Sequence, residues 1–223
     1  MRTSFTTLNF MRSSIAALDH LVLATPDLAG TAAWIEERTG VKPSPGGQHV
    51  GRGTRNMLCS LGATSYLEII GPDPDQPPPA DQRPFDVDHV TEPTMVGWAI
   101  AVPDMQVELA TSRARGYDPG PAMAMERRRP DGVLLSWTLT SPPSIVVPFL
   151  IDWGDSLHPA TTAAPGLELV ELQAVHPEPG PLAEKLEALG VTMGILRGPE
   201  MLIVELRGPL GTITFPSVEF VGA

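Results

Sequence analysis

Three times along the chain a short apolar run reaches Pro-Asp or Pro-Glu, and an amphipathic stretch follows that ends on glycine. The first copy runs from His20 to Ala24, through Pro26-Asp27, to Gly40. The second runs from Trp98 to Val102, through Pro103-Asp104, to Gly116, and the third from Leu169 to Val175, through Pro177-Glu178, to Gly190. The runs predict strands and the stretches after them predict helices. Leu28 and Ile35, Met105 and Leu109, and Leu182, Leu186 and Leu189 each fall on one helical face. Asp27 and Asp104 can accept hydrogen bonds from the free amides at a helix start, and a glycine takes the left-handed conformation just past a helix end without steric cost.

More strand candidates follow each helix. In the first copy they are a turn-rich segment from Val41 to Gly53, then Asn56 to Leu61 and Ser65 to Ile70. The second copy gives Ala122 to Arg129, Val133 to Thr140 and Ile145 to Ile151; the third gives Thr192 to Leu196, Met201 to Arg207 and Gly211 to Phe215. The order is βαβββ three times, an α+β fold of repeated modules. A period near 75 residues is too long for a solenoid unit and reads as module duplication. The modules are placed at 17–71, 94–153 and 166–223, with a loose leader at 1–16, a proline-rich linker at 72–93 and a loop at 154–165. A single helix covers one face of a four-stranded sheet, so the other face must meet a second sheet or line a cleft. Paired modules thus predict curved mixed sheets around a pocket.

Charge narrows the set of partners. Lys and Arg number 15 against 26 Asp and Glu, a formal charge of -11, which opposes phosphate backbones and anionic lipid surfaces. Nucleic acid and membrane are therefore not expected partners, whereas small organic ligands and metal cations fit. The lone Cys59 forbids an intrachain disulfide and lies in the apolar run Met57 to Leu61, which predicts a buried structural thiol. No apolar run approaches the roughly 20 residues of a membrane span, and the opening residues lack a signal-peptide pattern, so a cytoplasmic protein is expected.

The candidate chemistry starts with His20 and Glu68. Strand periodicity puts His20 on a face with Val22 and Ala24, and Glu68 on a face with Tyr66 and Ile70. A carboxylate among such neighbours must be paired or coordinated. Either the two groups share a cavity as metal donors, or His20 is a hydrogen-bonded core residue and Glu68 pairs with Arg55. The glycine-rich stretch from Gly46 to Asn56 adds His49, Thr54, Arg55 and Asn56 as substrate-binding candidates. Trp153 and His158 follow the last strand of module two; Trp153 could wall a pocket, and His158 either acts as an acid or base or anchors its loop. Trp98, Trp137 and Trp153 together would suit an aromatic pocket. Arg127-Arg128-Arg129 reads as a solvated hairpin tip beside the Pro130-Asp131-Gly132 turn.

Taken together, Leu18-Asp19-His20-Leu21-Val22-Leu23 with Pro26-Asp27-Leu28, the Gly46 to Asn56 stretch, Tyr66-Leu67-Glu68-Ile69-Ile70 and Val147 to Trp153 resemble the vicinal oxygen chelate superfamily, and within it the glyoxalase-like domain proteins. The resemblance covers roughly residues 18 to 160, and module three looks like a C-terminal addition. It implies a glyoxalase/bleomycin-resistance-like cupped site in which the first strand of a module offers a histidine or carboxylate and the last strand a glutamate. A divalent ion (Zn, Fe, Mn or Ni) is then held for lyase, isomerase or dioxygenase chemistry; members without metal bind small molecules instead. His20 and Glu68 match that pattern. Six residues before each helix-start proline stand His20, Gly97 and Glu171, so module two supplies no equivalent ligand and Glu171 is the candidate third donor if modules one and three share the cleft. The missing module-two ligand argues against methylglyoxal as substrate. A homodimer, and an interface built by the extra module, stay open.

Overall fold

The computed structural model describes residues 18–80, 82–141 and 144–216; the expected leader lies outside them. Module one comprises β1 (Leu18–Ala24), α1 (Leu28–Thr39), β2 (Ser44–His49), β3 (Thr54–Ser60) and β4 (Tyr66–Pro72). Module two comprises β5 (Thr94–Ala101), α2 (Met105–Ala114), β6 (Met123–Arg128), β7 (Leu134–Leu139) and β8 (Phe149–Asp152). Module three comprises β9 (Glu168–His176), α3 (Pro179–Ala188), β10 (Gly194–Arg197), β11 (Met201–Arg207) and β12 (Thr212–Phe215). The helix boundaries follow from the residues that mark them. Asp27 accepts from Gly30 N, Asp104 accepts from the amides of Gln106 and Val107, and Gly40 closes α1 at φ 76°. Glu178 makes no side-chain cap; proline at the first turn starts α3 instead.

Modules one and two close into one barrel in the order β1-β4-β3-β2-β6-β7-β8-β5. Each contributes a half with the same internal pairing, its first strand parallel to its last. The seams are antiparallel, β1 against β5 and β2 against β6. Gly47 sits at the second seam because a Cβ there would come within 2.1 Å of the Arg128 carbonyl oxygen.

The third module keeps the βαβββ order but not the pairing. Its sheet runs β10-β9-β11-β12, so the strand after the helix, not the last one, lies parallel to the first. The turn-rich segment after α1 contains the expected strand, β2, despite its proline and glycines, whereas the last strand of module two is confined to Phe149–Asp152.

Alternation along the barrel strands feeds two cores. Outward-facing Leu21, Leu23, Leu67, Ile69 and Trp98 join Ile35 of α1, Leu109 of α2 and the apolar face of the third sheet, including Leu172, Leu206 and Phe215. Val22, Ala24, Ile70, Ala99, Phe149 and Ile151 point the other way, into the barrel. The third sheet is therefore fastened to the barrel's exterior. Trp34 meets Phe215 edge-on at 6.0 Å, and Leu210 N donates to the Thr39 carbonyl. Cys59 is fully buried in the outer core, and burial pushes its thiol up to about 12, which makes it an inert packing residue.

Candidate functional site

His20 and Glu68 do project into one hollow. Across the parallel β1–β4 pair His20 partners Tyr66 and Val22 partners Glu68, and the His20 and Glu68 side chains both line the barrel interior. His20 Nε2 lies 3.9 Å from Glu68 Oε2. The structure adds His49 from the end of β2, with Nε2 3.4 Å from Glu68 Oε1. Asn56, on β3, donates through Nδ2 to Glu68 Oε1 at 2.5 Å.

Each imidazole is held from behind. His20 Nδ1 contacts Asp19 Oδ1 at 2.6 Å, and His49 Nδ1 contacts Thr54 Oγ1 at 3.0 Å. Burial alone would raise the Asp19 carboxyl, but hydrogen bonds from His158 and His20 outweigh it and hold the group at about 2. Asp19 is thus an ionised acceptor, so His20 Nδ1 carries a proton and Nε2 turns a lone pair or a second proton toward Glu68. The same carboxylate accepts from Trp153 Nε1 at 2.9 Å and from His158 Nε2 at 3.0 Å. Burial likewise works against ionised Glu68, yet His49, His20 and Asn56 bring it down to about 2. Tyr66 stacks on His20 at 4.7 Å, and burial beside Asp19 and Glu68 keeps its hydroxyl protonated, well above 10.

Asp19 reaches this cluster through a β-bulge. Leu18 pairs with Ile100 and His20 with Ala99, so Asp19 is the extra residue that lets two neighbouring side chains serve one site.

Arg127 of β6 is a cation inside the barrel, 2% exposed. Strand periodicity turns Met123, Met125 and Arg127 toward the interior, whereas Arg128 is exposed and Arg129 pairs with Asp131. The solvated-tip reading thus holds only for the last two arginines. Arg127 Nη1 donates to Asn56 Oδ1 at 3.3 Å, which makes the Asn56 amide a relay between guanidinium and Glu68.

The interior has two connected chambers. The inner one, about 30 Å³, is lined by His20, His49, Glu68, Arg127, Trp137 and Trp153 among others. The outer one, about 600 Å³, is largely apolar and includes Met95, Met123, Val147 and Phe149. Phe85, on the linker, borders both and faces Phe149 at 5.9 Å. It holds a left-handed backbone at φ 58°, with Asp86 at φ 53°, a costly conformation for residues with side chains.

The other sequence candidates fall elsewhere. Glu171 stands on β9 opposite Glu205, in the separate sheet, because modules one and two, not one and three, build the barrel. A His20–Glu68–Glu171 set is therefore not assembled. Arg55 faces outward and pairs with Asp73 and Asp75 at 3.6 and 3.0 Å, so it is not the partner of Glu68. His158 is a loop anchor, taking the Ala160 amide on Nδ1 while Nε2 holds Asp19. Trp153 lines the inner chamber and packs on Trp137 at 5.0 Å, but Trp98 lies in the outer core and bonds the Val146 carbonyl. Thr54 acts through His49. The Arg55–Asp75 pair is exposed, and buried Asp73 keeps donors from Asp75 N and Gln76, so Arg55→Ala is expected to change stability by less than about 1 kcal/mol in urea unfolding.

By type, two imidazoles and a carboxylate suit a first-row divalent ion, and both far nitrogens have the oxygen partners that orient such ligands. Among the described residues no three His, Cys, Asp or Glu side chains stand as a ready-formed metal-holding group, and Glu68 Oε1 is already engaged by Asn56.

Two βαβββ halves closed edge to edge around an interior polar cluster define a vicinal oxygen chelate fold. The chain belongs to the glyoxalase-like domain family, whose model matches residues 18–190. A hypothetical protein from Staphylococcus aureus is similar in structure at a TM-score of 0.59, with 13% identity over 88% of this chain and 83% of that one. That extent includes more than the barrel. A 4-hydroxymandelate synthase mutant from Streptomyces coelicolor covers 92% of this chain and 62% of its own at 15% identity and a TM-score of 0.49. Methylmalonyl-CoA epimerase from Mycobacterium tuberculosis covers 67% of this chain and 91% of its own at 16% identity and a TM-score of 0.42. These likenesses concern the fold alone. No curated protein matches the sequence.

Proposed function

We propose that the barrel interior is the active site of a divalent-metal-dependent enzyme acting on a small organic substrate. The observation that carries this reading is the convergence of His20 Nε2 and His49 Nε2 on one buried, ionised carboxylate, Glu68. Imidazoles tied at Nδ1 aim Nε2 at the carboxylate, and a carboxylate kept charged is in the state an ion requires. His20, His49 and Glu68 would hold it, and it would supply Lewis-acid polarisation of a substrate oxygen. The chain's own residues do the rest. Asp19 fixes the His20 ring, and Asn56 and Arg127 hold Glu68 in place. Trp137, Trp153 and Phe149 exclude water around the reacting atoms.

A second reading, a metal-free small-molecule binder, is favoured by the Asn56 bond on Glu68 and the Arg127 cation nearby. Metal analysis of protein purified without chelators separates the two. Near one divalent ion per chain, lost in His49→Ala and Glu68→Ala but retained in Glu171→Ala, supports the enzyme. Substoichiometric metal in the parent protein, unchanged by those substitutions, leaves the binder.

A further inference from the structure

Arg127 is where the interior is left incomplete. Among the described residues the buried side-chain polar atoms without a hydrogen-bond partner are Arg127 Nε, Trp137 Nε1 and Ser144 Oγ. All three residues line the two chambers, the first two the inner one and Ser144 the outer. Among the described residues no carboxylate pairs with Arg127. Glu68 is connected to it only through the neutral Asn56 amide. A buried guanidinium with a neutral hydrogen-bond partner is costly, and an anion that reached it would relieve that cost.

The shape of the space says which anion. The inner chamber, at about 30 Å³, admits a small polar head group and little more. Beyond it the lining turns apolar. Met125, Leu139, Phe85 and Phe149 border both chambers and lead into the 600 Å³ vestibule. Arg127, Met125 and Met123 share one face of β6. At about 6.6 Å per two strand residues, that row is about 13 Å long from guanidinium to mouth. Methionines at two of those positions adapt to varied apolar shapes.

We infer that the substrate is a monocarboxylic acid with an apolar body, aryl or medium-chain alkyl. Its carboxylate is taken by Arg127 and the Trp137 indole N–H, and its body lies along β6 in the vestibule. This rests on the reading of the barrel interior as a substrate site, but not on the metal. Arg127 is a specificity-determining residue: it selects the charged head, as the guanidinium fork matches a carboxylate, and it fixes which end of the molecule faces His20 and Glu68.

The test compares 3-phenylpropanoate with 3-phenylpropanamide, and octanoate with octanamide, by quenching of the tryptophan fluorescence, to which Trp137 and Trp153 of the inner chamber contribute. Chelator-treated and untreated protein are run in parallel. The acids are expected to bind at least tenfold tighter than the amides with and without chelator. Arg127→Gln is expected to bring each pair within about twofold while amide affinity is retained, and Arg127→Lys to restore part of the preference. The acid–amide comparison in the parent protein needs no variant to fold. Equal affinity of acid and amide there, or no saturable quenching by any of the four, overturns the inference. So does an acid preference that survives Arg127→Gln. A preference that disappears with chelator yet survives that substitution would make the ion the anion receptor, sinking the role of Arg127 while supporting the metal-dependent reading.

Discussion

Replacing Asp19 with alanine is expected to lower the stability of the folded chain by about 3–5 kcal/mol, the cost of removing one member of a buried charged network. The residue has no exposed surface, and its two oxygens accept from His20, Trp153 and His158. Alanine leaves the buried His20 and the partly buried Trp153 and His158, donors from two segments of chain, without their acceptor. It also frees the His20 ring to turn, so the imidazole that faces Glu68 loses its set direction. Asp19→Asn keeps one acceptor oxygen and the side-chain volume, so its cost is expected to be smaller, about 1–3 kcal/mol. Urea unfolding followed by tryptophan fluorescence measures both. A loss below 1 kcal/mol in the alanine variant would show that the network contributes nothing to holding the site.

Acid is expected to undo the same cluster. Asp19 and Glu68 each stand at about 2 in the folded protein, against ordinary values of 3.8 and 4.5. Because both folded values are depressed, their stabilisation is fully present above about pH 5. It is lost as pH falls toward 2, where the folded groups finally protonate. At about 1.4 kcal/mol per unit the two together contribute on the order of 5 kcal/mol, about 3 of which is gone by pH 3. Both carboxylates are buried, so salt screens this little. Both also face His20, so the cluster titrates as a unit and the contributions are not strictly additive. The measurement is the urea midpoint between pH 7 and pH 3. The double variant Asp19→Asn/Glu68→Gln is expected to start lower and fall much less steeply. A parent protein whose midpoint is flat across that range would contradict the network.

The part of the site that was readable in the chain was the part that obeys simple periodicity. His20 and Glu68 occupy inward positions of two strands, between Leu18 and Val22 and between Tyr66 and Ile70 on their own faces, so each had to point at something that would accept it. What defeated the reading was departure from regular alternation. Counting by twos puts Asp19 on the face opposite His20, and only a one-residue bulge against β5, invisible in the sequence pattern, brings the two together. His49 was legible as a binding candidate, but Pro45, Gly46 and Gly47 blur the alternation of its strand and hid its place beside Glu68. Arg127 did carry a signal: Met123, Met125 and Arg127 alternate with Glu126 and Arg128, and an arginine in phase with methionines points inward. A run of three arginines before a turn obscured it. Glu171 went astray for a different reason. A repeat in sequence gives the order of elements inside each module but carries no information on which edges meet, and the third sheet, with its altered strand order, has no seam to offer the barrel.

The seam between β2 and β6 has a consequence for how such a molecule can change over generations. His20, His49 and Glu68 stand in the first βαβββ half, whereas Arg127, Trp137 and Phe149 stand in the second. On the proposed reading, the reacting groups lie on one side of that seam and the recognition of substrate on the other. On that reading, changes at Met123 or Val147, which line the outer chamber but not the inner one, would retune which molecules are admitted while the opposite half stays intact.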